Sequence, residues 1–135
     1  MDNNDTKSNN IVEFCTVQSN AIRILTESLK NILSDVNLQI NEDGIKIIAM
    51  DGSKVAVVHL KLDASKFEFF QCRSPIKIGI NMLSLFKILK SIKNNDIVTF
   101  FIRAELTTDL VIQIENKDKK TRIISVLKLL DIDED

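Results

Sequence analysis

The sequence predicts an α+β domain in which two helices pack side by side on one face of an antiparallel sheet. One layout occurs twice along the chain: an extended segment, an amphipathic helix with cations on its polar face, and three further extended segments. The first copy covers residues 11 to about 62 and the second covers about 76 to 130. Because the apolar sheet face of each βαβββ unit must be covered, two copies predict two adjacent helices whose polar sides point the same way.

The first helix is predicted over residues 21–34, where apolar residues recur at steps of three and four. The residues that would face the sheet are Ile22, Leu25, Leu29, Ile32 and Leu33. The residues that would share the opposite face are Arg23, Thr26, Glu27 and Lys30. Ser19 or Asn20 can cap the first turn of this helix.

Three strands with a period of two follow, over residues 37–40, 45–50 and 55–62. Asp43 and Gly44 before the middle strand, and residues 51–53 after it, have the composition of turns. The side chains that would face the helices are Ile45, Ile47, Ala49, Ala56, Val58, Leu60 and Leu62. The intervening residues, which include Met50, Val55 and Val57, would point outward.

The second copy repeats this order, with a strand over 75–80, a helix over 82–93, and strands over 97–102, 110–115 and 122–130. Asn81 is a suitable N-cap for the helix. Its buried stripe would be Met82, Leu85, Phe86, Leu89 and Ile92, and its exposed side would carry Lys87, Lys90 and Lys93. Residues 94–96 and 116–120 are polar and predict turns.

The composition is that of one domain with a substantial core. Of the 135 residues, 44% are hydrophobic, and a chain of this length is below the size at which cores divide. The formal net charge is −1, so binding to nucleic acid would depend on segregated cations and not on bulk charge. The two cysteines lack CxxC spacing and the N-terminus lacks a signal-like apolar run, which favours a reducing intracellular compartment. No stretch approaches the roughly 18 apolar residues of a membrane span.

The two ends of the chain differ in composition from the domain between them. Residues 1–10 are almost all polar, which predicts a disordered tail. Residues 131–135 are mainly acidic and follow an apolar run, which predicts the start of a linker. These acids could also be imagined as a metal cluster, but a solvated acidic linker is the favoured interpretation. The domain is therefore expected over residues 11–130.

Three motifs, in order, resemble one known family. The run from Gly44 to Val55, GIKIIAMDGSKV, is similar to the "MDSSHV" turn of the proliferating cell nuclear antigen family, the eukaryotic and archaeal sliding clamps. The run from Ile78 to Lys90, IGINMLSLFKILK, is similar to that family's "GVNL.S..KILK" helix, and KLLDID from Lys128 is similar to "KLMDLD". The resemblance is colinear from about residue 14 to 133. It implies the N-terminal domain of the DNA-clamp (processivity) fold, with residues 131–135 opening the interdomain connecting loop.

The resemblance implies a function for the cationic helix faces. In that family, a ring of six such domains encircles duplex DNA with its helices inward, and acts as a processivity factor for DNA polymerase. The residues that would face DNA are Arg23, Lys30, Lys87, Lys90 and Lys93. A few screened cations would give weak, salt-sensitive and sequence-independent attraction. From composition alone, ordinary solvated helix faces are the favoured interpretation of these cations, and the resemblance reverses that preference.

A second candidate site lies on the outward sheet face, where apolar side chains on adjacent strands indicate a partner surface. The resemblance implies that client proteins carrying the PIP box, a short apolar and aromatic motif, dock there and on the connecting loop. The matching positions are Met50, Lys54, Val55, Val57, Leu130, Asp131 and Ile132. Lys54 stands where the family usually has histidine. Alternatively, the two valines are strand-forming residues covered by other parts of the protein.

The third candidate surface is the last strand, which would be an unpaired sheet edge. In the resembled family this strand pairs across the subunit interface, and the matching residues are Arg122, Ile123, Ile124, Ser125 and Val126. Alternatively, Lys119, Lys120 and Arg122 would protect a solvent-exposed edge with charge.

The sequence gives little support for catalysis or metal binding. His59 is the only histidine, and no nucleophile or carboxylate is visibly arranged with it as a triad. One histidine and two distant cysteines also lack zinc-ligand spacing. We therefore expect no catalytic residue, no metal and no cofactor.

Two classes of function remain from the sequence. The first is a sliding-clamp subunit whose partners are double-stranded DNA, DNA polymerase and other PIP-box proteins, a clamp loader and further copies in a ring. The second is a clamp-fold accessory factor that binds a polymerase or transcription protein without encircling DNA. The resemblance implies the nucleus, or a cytoplasmic viral replication site if the source is a large DNA virus.

Overall fold

The computed structural model describes residues 9–51, 53–116 and 118–131. Within these ranges, the first copy comprises β1 (Asn10–Thr16), α1 (Ser19–Lys30), β2 (Asp35–Asn41), β3 (Gly44–Met50) and β4 (Val57–Asp63). A 3₁₀ turn (Ala64–Lys66) and β5 (Phe69–Cys72) connect the copies. The second copy comprises β6 (Ile76–Asn81), α2 (Met82–Leu89), β7 (Asp96–Arg103), β8 (Leu106–Asn116) and β9 (Thr121–Lys128). The duplicated βαβββ order and the α+β class are confirmed.

The strands form two antiparallel sheets, and each sheet takes strands from both copies. The five-stranded sheet has the order β5-β1-β7-β8-β9, and the four-stranded sheet has the order β4-β3-β2-β6. β1 of the first copy pairs with β7 of the second, and β6 of the second pairs with β2 of the first. The apolar surface beneath the helices is therefore built from two sheets, because the opening strand of each copy pairs with the other copy.

One core joins both sheets and both helices. α1 and α2 contact each other, and the buried cluster includes Leu29 and Leu33 from the first copy and Leu85 and Leu89 from the second. Strand residues complete the cluster with the alternation expected of one buried sheet face, for example Ile45 and Ile47. The inward and outward faces of β3 and β4 are those that the sequence predicts, but Ala56, predicted to face the helices, is exposed and precedes β4.

α1 differs in three details from its prediction. It ends at Lys30 and not at residue 34, so Ile32 lies in the following turn with 46% of its surface exposed. Thr26, predicted on the polar face, is 5% exposed, and its hydroxyl donates to the carbonyl of Ile22 at 2.8 Å. Neither Ser19 nor Asn20 caps the helix, because Gln18 occupies the N-cap and the Ser19 hydroxyl donates instead to the carbonyl of Lys93 at 3.0 Å. This bond ties α1 to the second copy.

α2 agrees with its prediction at the start and is shorter at the end. The Asn81 side chain accepts a hydrogen bond from the backbone N–H of Ser84 at 2.9 Å, as an N-cap does. The helix ends at Leu89, whereas the prediction continued to residue 93. Ile92 is nevertheless 6% exposed, because the turn after the helix folds this side chain back onto the core.

β5 and the start of β1 are further departures from the sequence-based prediction. β5 was not predicted, because four residues are too few to display an alternating pattern. It pairs with β1, and Phe70 stacks on Phe14 with ring centroids 5.5 Å apart. β1 begins at Asn10, one residue inside the predicted tail, and residues 1–8 lie outside the described residues. In the described part of the chain, neither helix has the length and hydropathy needed to cross a membrane.

Candidate functional surfaces

The two helices bring the cations of both copies to one helical layer. Lys30 of α1 reaches α2, where its Nζ lies 4.8 Å from the centroid of the Phe86 ring and 3.1 Å from the Asn31 Oδ1. Arg23 donates a hydrogen bond to Asn20 within α1. Both side chains are half-buried, so the cations of the first copy are partly engaged by their own surroundings.

The cations of the second copy are more exposed. Lys87 lies in α2, Lys90 directly follows it, and both are exposed. Lys93 is also exposed but does not belong to the helix as predicted, because the chain has turned toward β7 at this point. Its backbone is fixed there by the N–H donating to Asp96 Oδ2 at 2.8 Å and by the carbonyl accepting from Ser19. The prediction that Lys93 belongs to α2 was therefore wrong, although the Lys93 side chain is exposed as predicted.

The outer face of the four-stranded sheet carries an apolar patch, which we call the outer patch and define as Ile48, Met50, Val55 and Val57. Met50 and Val57 lie directly opposite each other on β3 and β4 and are 55% and 63% exposed. Val55 is 86% exposed. Ile48, at 50%, was not among the predicted partner residues, although its alternation with buried Ile47 already places it outward.

The turn between β3 and β4 is organised by Asp51. Its carboxylate accepts from the Ser53 hydroxyl at 2.9 Å and from the N–H of Val55 at 3.2 Å. The hydrogen bond from Ser53 is the main cause that lowers the pKa of Asp51 below its ordinary value. Lys54 adopts a left-handed conformation with φ of 64°. Lys54 and Val55 are both exposed in this turn.

The predicted residues near the end of the domain lie at the opposite edge of this sheet. The N–H of Leu130 donates to the carbonyl of Gly79 on β6 at 2.8 Å, which attaches the chain to the edge away from β4. Leu130 is 38% exposed and Asp131 is exposed, while Ile132 lies outside the described residues. Three strand spacings, or about 14 Å, separate β3 from Leu130. The described residues therefore place both groups on one sheet without bringing them into contact.

β9 is an edge strand of the five-stranded sheet, as the sequence predicts. Ile123, Ile124 and Val126 are each more than half exposed, and Ser125 is half-buried. Because residues 123 and 124 point to opposite faces of the sheet, apolar groups flank this edge on both sides. Arg122 lies opposite Glu115 on β8.

The far end of β9 is held by a salt bridge. Lys128 Nζ lies 2.8 Å from Asp109 Oδ1, and Asp109 is 7% exposed. The hydrogen bond from Lys128 is the main cause that lowers the pKa of Asp109. The strand is thus fixed to β8 on one side while its other side is open.

The described residues do not assemble a reactive centre. His59 is exposed and lies opposite Ile48 on the outer sheet face. Among residues 9–51, 53–116 and 118–131, no three His, Cys, Asp or Glu side chains form a group that could hold a metal ion. These surfaces can attract anions, dock apolar segments and pair strand edges.

Comparison with known proteins agrees with the three sequence motifs. The family model described as "Proliferating cell nuclear antigen, N-terminal domain" matches residues 11–135. The chain is 38% identical over 118 residues to a "Probable DNA polymerase sliding clamp 1" of Paramecium bursaria Chlorella virus 1. It is 34% identical over 119 residues to each proliferating cell nuclear antigen of Chaetomium thermophilum and Saccharomyces cerevisiae.

Each of these matches covers 87% of this chain and 45% of the relative, so the chain spans slightly less than half the length of the relatives. The family match begins at residue 11 and continues to the last residue given. The resemblance inferred from the motifs is therefore confirmed, and this chain belongs to the proliferating cell nuclear antigen family, of which it contains the N-terminal domain.

Proposed function

We propose that the protein containing this domain is a subunit of a DNA sliding clamp, a processivity factor that holds DNA polymerase on duplex DNA. The observation that carries the proposal is the pair of adjacent helices, which gather the cations of both copies on one layer while the sheets present apolar surfaces elsewhere. The relatives named as sliding clamp and proliferating cell nuclear antigen support it. The role is one of binding and tethering, not of catalysis.

The helical layer would contact the phosphate backbone. Lys87, Lys90 and Lys93 are exposed and can approach phosphates directly, whereas Arg23 and Lys30 would have to exchange their present partners. Contacts between lysine and phosphate are independent of sequence and weaken with salt, because binding releases counterions from DNA. A small number of such contacts suits a protein that moves along DNA, since no single contact is strong.

The outer patch would receive the PIP-box motif of polymerase and other client proteins. Its members are apolar and exposed, and Val55 lies in a turn where the Asp51 carboxylate accepts from the Ser53 hydroxyl and the Val55 N–H. Leu130, Asp131 and Ile132 would contribute from the connecting loop. A preformed turn favours docking, because less conformational freedom is lost when the partner binds.

The edge strand β9 would pair with another clamp domain to close a ring. Its open side offers backbone hydrogen-bonding groups, and its exposed apolar side chains can be buried on both faces of a continued sheet. Residues 122–126 would form the centre of this interface. A clamp loader would open the ring, and the protein would work where DNA is replicated, in the nucleus or at a viral replication site.

The test of the DNA-facing layer is a charge reversal in the protein at its natural length. Lys87→Glu combined with Lys90→Glu should reduce retention on circular DNA and leave client-peptide affinity unchanged. The slope of the logarithm of the binding constant against the logarithm of the salt concentration should decrease by the amount expected for about two phosphate contacts. A matched control, Lys119→Glu with Lys120→Glu, changes the net charge equally in the β8–β9 turn and should retain DNA binding. Equal retention of wild type and the helix variant would contradict the DNA-facing role, and equal retention on linear and circular DNA would contradict encirclement.

A further inference from the structure

The outer face of the four-stranded sheet carries a row of cations next to the outer patch. Lys46 lies directly opposite Lys61 on β4 and opposite Gln39 on β2, and Gln39 lies opposite Lys77 on β6. Lys46, Lys61 and Lys77 therefore occupy one line across all four strands, and we call them the lysine row. Like charges directly opposite each other in a sheet are destabilising, so Lys46 and Lys61 make a pair that an anion would stabilise.

The acidic groups near Lys46 and Lys61 leave these two lysines available. Asp63 approaches Lys61 at 3.7 Å, but both side chains are more than half exposed, and an exposed pair of this kind contributes little. Both lysines line a groove with a volume of about 330 Å³, whose other lining residues include Asp43, Gln39 and His59. Within the described residues, Lys46 forms no salt bridge.

The lysine row and the outer patch form one continuous surface. Along β3 and β4 the successive outward pairs are Met50 with Val57, Ile48 with His59, and Lys46 with Lys61. Each step of two residues is about 6.6 Å, so the first and third pairs lie about 13 Å apart. An extended segment covers that distance in about four residues.

We infer that the partner segments which dock on the outer patch carry acidic residues about four positions from their apolar anchor, and that these acids bind Lys46 and Lys61. This inference rests on the proposed partner-binding function and specifies the chemistry of the partner. A peptide is favoured over a nucleic acid as the occupant, because the outward residues of β3 and β4 include no aromatic ring other than His59 on which bases could stack.

The test uses six synthetic peptides, all with one PIP-box anchor and a pair of residues four positions from it. The pair is Glu-Glu, Gln-Gln or Lys-Lys, and each of these is made once with the pair before the anchor and once with the pair after it. For one of the two placements, the Glu-Glu peptide should bind the 135-residue chain about three- to tenfold tighter than the Gln-Gln peptide at low salt, as measured by fluorescence anisotropy. The preference should decline as salt is raised.

Reversing the lysine pair should reverse the preference. In Lys46→Glu combined with Lys61→Glu, the Lys-Lys peptide should bind tighter than the Glu-Glu peptide, while the Gln-Gln peptide is unaffected. The control Lys119→Glu with Lys120→Glu has the same net charge and should keep the wild-type order. Both members of the test pair are exposed, so the variant should fold, and a thermal melt checks this.

The outcomes separate this inference from the proposed function. If the Gln-Gln peptide binds and the Glu-Glu peptide binds no tighter in either placement, the acidic partner is excluded while the partner site stands. If none of the peptides binds, the partner site itself is excluded. If the reversal instead weakens binding of a (dT)16 oligonucleotide more than the control does, and peptide charge has no effect, the lysine row binds single-stranded nucleic acid and the inference is overturned.

Discussion

The hairpins β3–β4 and β8–β9 hold the same place in the two copies, and their outer faces are built in opposite ways. In the second hairpin the outward charges are complementary, with Asp109 bonded to Lys128 and Glu115 opposite Arg122. In the first hairpin Lys46 faces Lys61, which also approaches Asp63 at 3.7 Å, and the other outward pairs are Met50 with Val57, Ile48 with His59, and Gly44 with Asp63. The second hairpin places charges of opposite sign opposite each other, whereas the first places two lysines opposite each other beside exposed apolar residues.

The exposed apolar residues of the two hairpins also differ in arrangement. In the first hairpin they lie on the outer face, beside the Asp51 turn. On β9 they lie on both faces of an edge strand. A segment that docks on one face can cover the first set, but only a strand that continues the sheet can cover the second. One duplicated architecture thus exposes apolar residues in two arrangements, one suited to a docked segment and one suited to a paired strand.

The largest expected difference between the two hairpins is in how much a buried leucine of each contributes to the free energy of unfolding. Leu110 on β8 is 3% exposed inside a sheet with strands on both sides, so Leu110→Ala should lower the free energy of unfolding by about 3 kcal/mol. Leu60 on the edge strand β4 is half-buried, so Leu60→Ala should cost about half as much. Urea denaturation of both variants measures the difference. Equal losses would mean that the two hairpins contribute alike to the core.

The next largest expected effect is on binding, and it distinguishes the outer patch from the β9 edge. Val55→Asp should weaken binding of a PIP-box peptide by at least about tenfold, because a carboxylate in an apolar contact must be desolvated, while the fold is kept since Val55 is 86% exposed. Ile124→Asp on β9 is the matched control, with similar chemistry and 56% exposure. It should leave peptide affinity unchanged and weaken self-association of the protein at its natural length, which light scattering measures. Loss of peptide binding in both variants would mean that the outer patch and the β9 edge are not separate binding surfaces.

The sequence was most informative where a regular pattern was long. The period of two over β3 and β4 identified both faces correctly, and Asn81 identified the start of α2. The pairing of strands between the two copies could not be predicted, because periodicity shows which face of a strand is buried and not which strand lies next to it. The length of α1 was overestimated since Ile32 and Leu33 continue the apolar spacing after the helix has ended.

The candidate surfaces show the same limit. Residue types and spacing were enough to identify the cationic helix faces, the outward apolar residues and the last strand as an edge, and the family resemblance implied their roles. The lysine row was not proposed, because Lys46 and Lys61 are 15 positions apart and only the register of β3 and β4 places them opposite each other. The engagement of Lys30 with Phe86 likewise depends on how the helices pack.

A smaller effect concerns the salt bridge that fixes β9. Because Lys128 lowers the pKa of Asp109 in the folded protein, the pair stabilises the fold above the ordinary aspartate pKa of 3.8 and loses this contribution as pH falls through the lower folded value. Asp109→Asn should therefore be less stable than wild type at pH 7, and the difference should narrow below about pH 4. Urea denaturation across this pH range measures it. A difference that is constant from pH 7 to pH 3 would contradict a charge-dependent contribution.

The smallest effect concerns the charges that lie opposite each other on the two hairpins. Lys46→Glu places a carboxylate opposite Lys61 and should raise the free energy of unfolding by about 0.2–1 kcal/mol, because a repulsive cross-strand pair becomes attractive. The reciprocal change, Glu115→Lys, places a cation opposite Arg122 and should lower it by a similar amount. Both differences should shrink in 1 M salt, where exposed charges are screened within about 3 Å. If Lys46→Glu is destabilising at low salt, Lys46 and Lys61 do not repel each other in the free protein, and the outer face of the first hairpin needs no anionic partner to balance it.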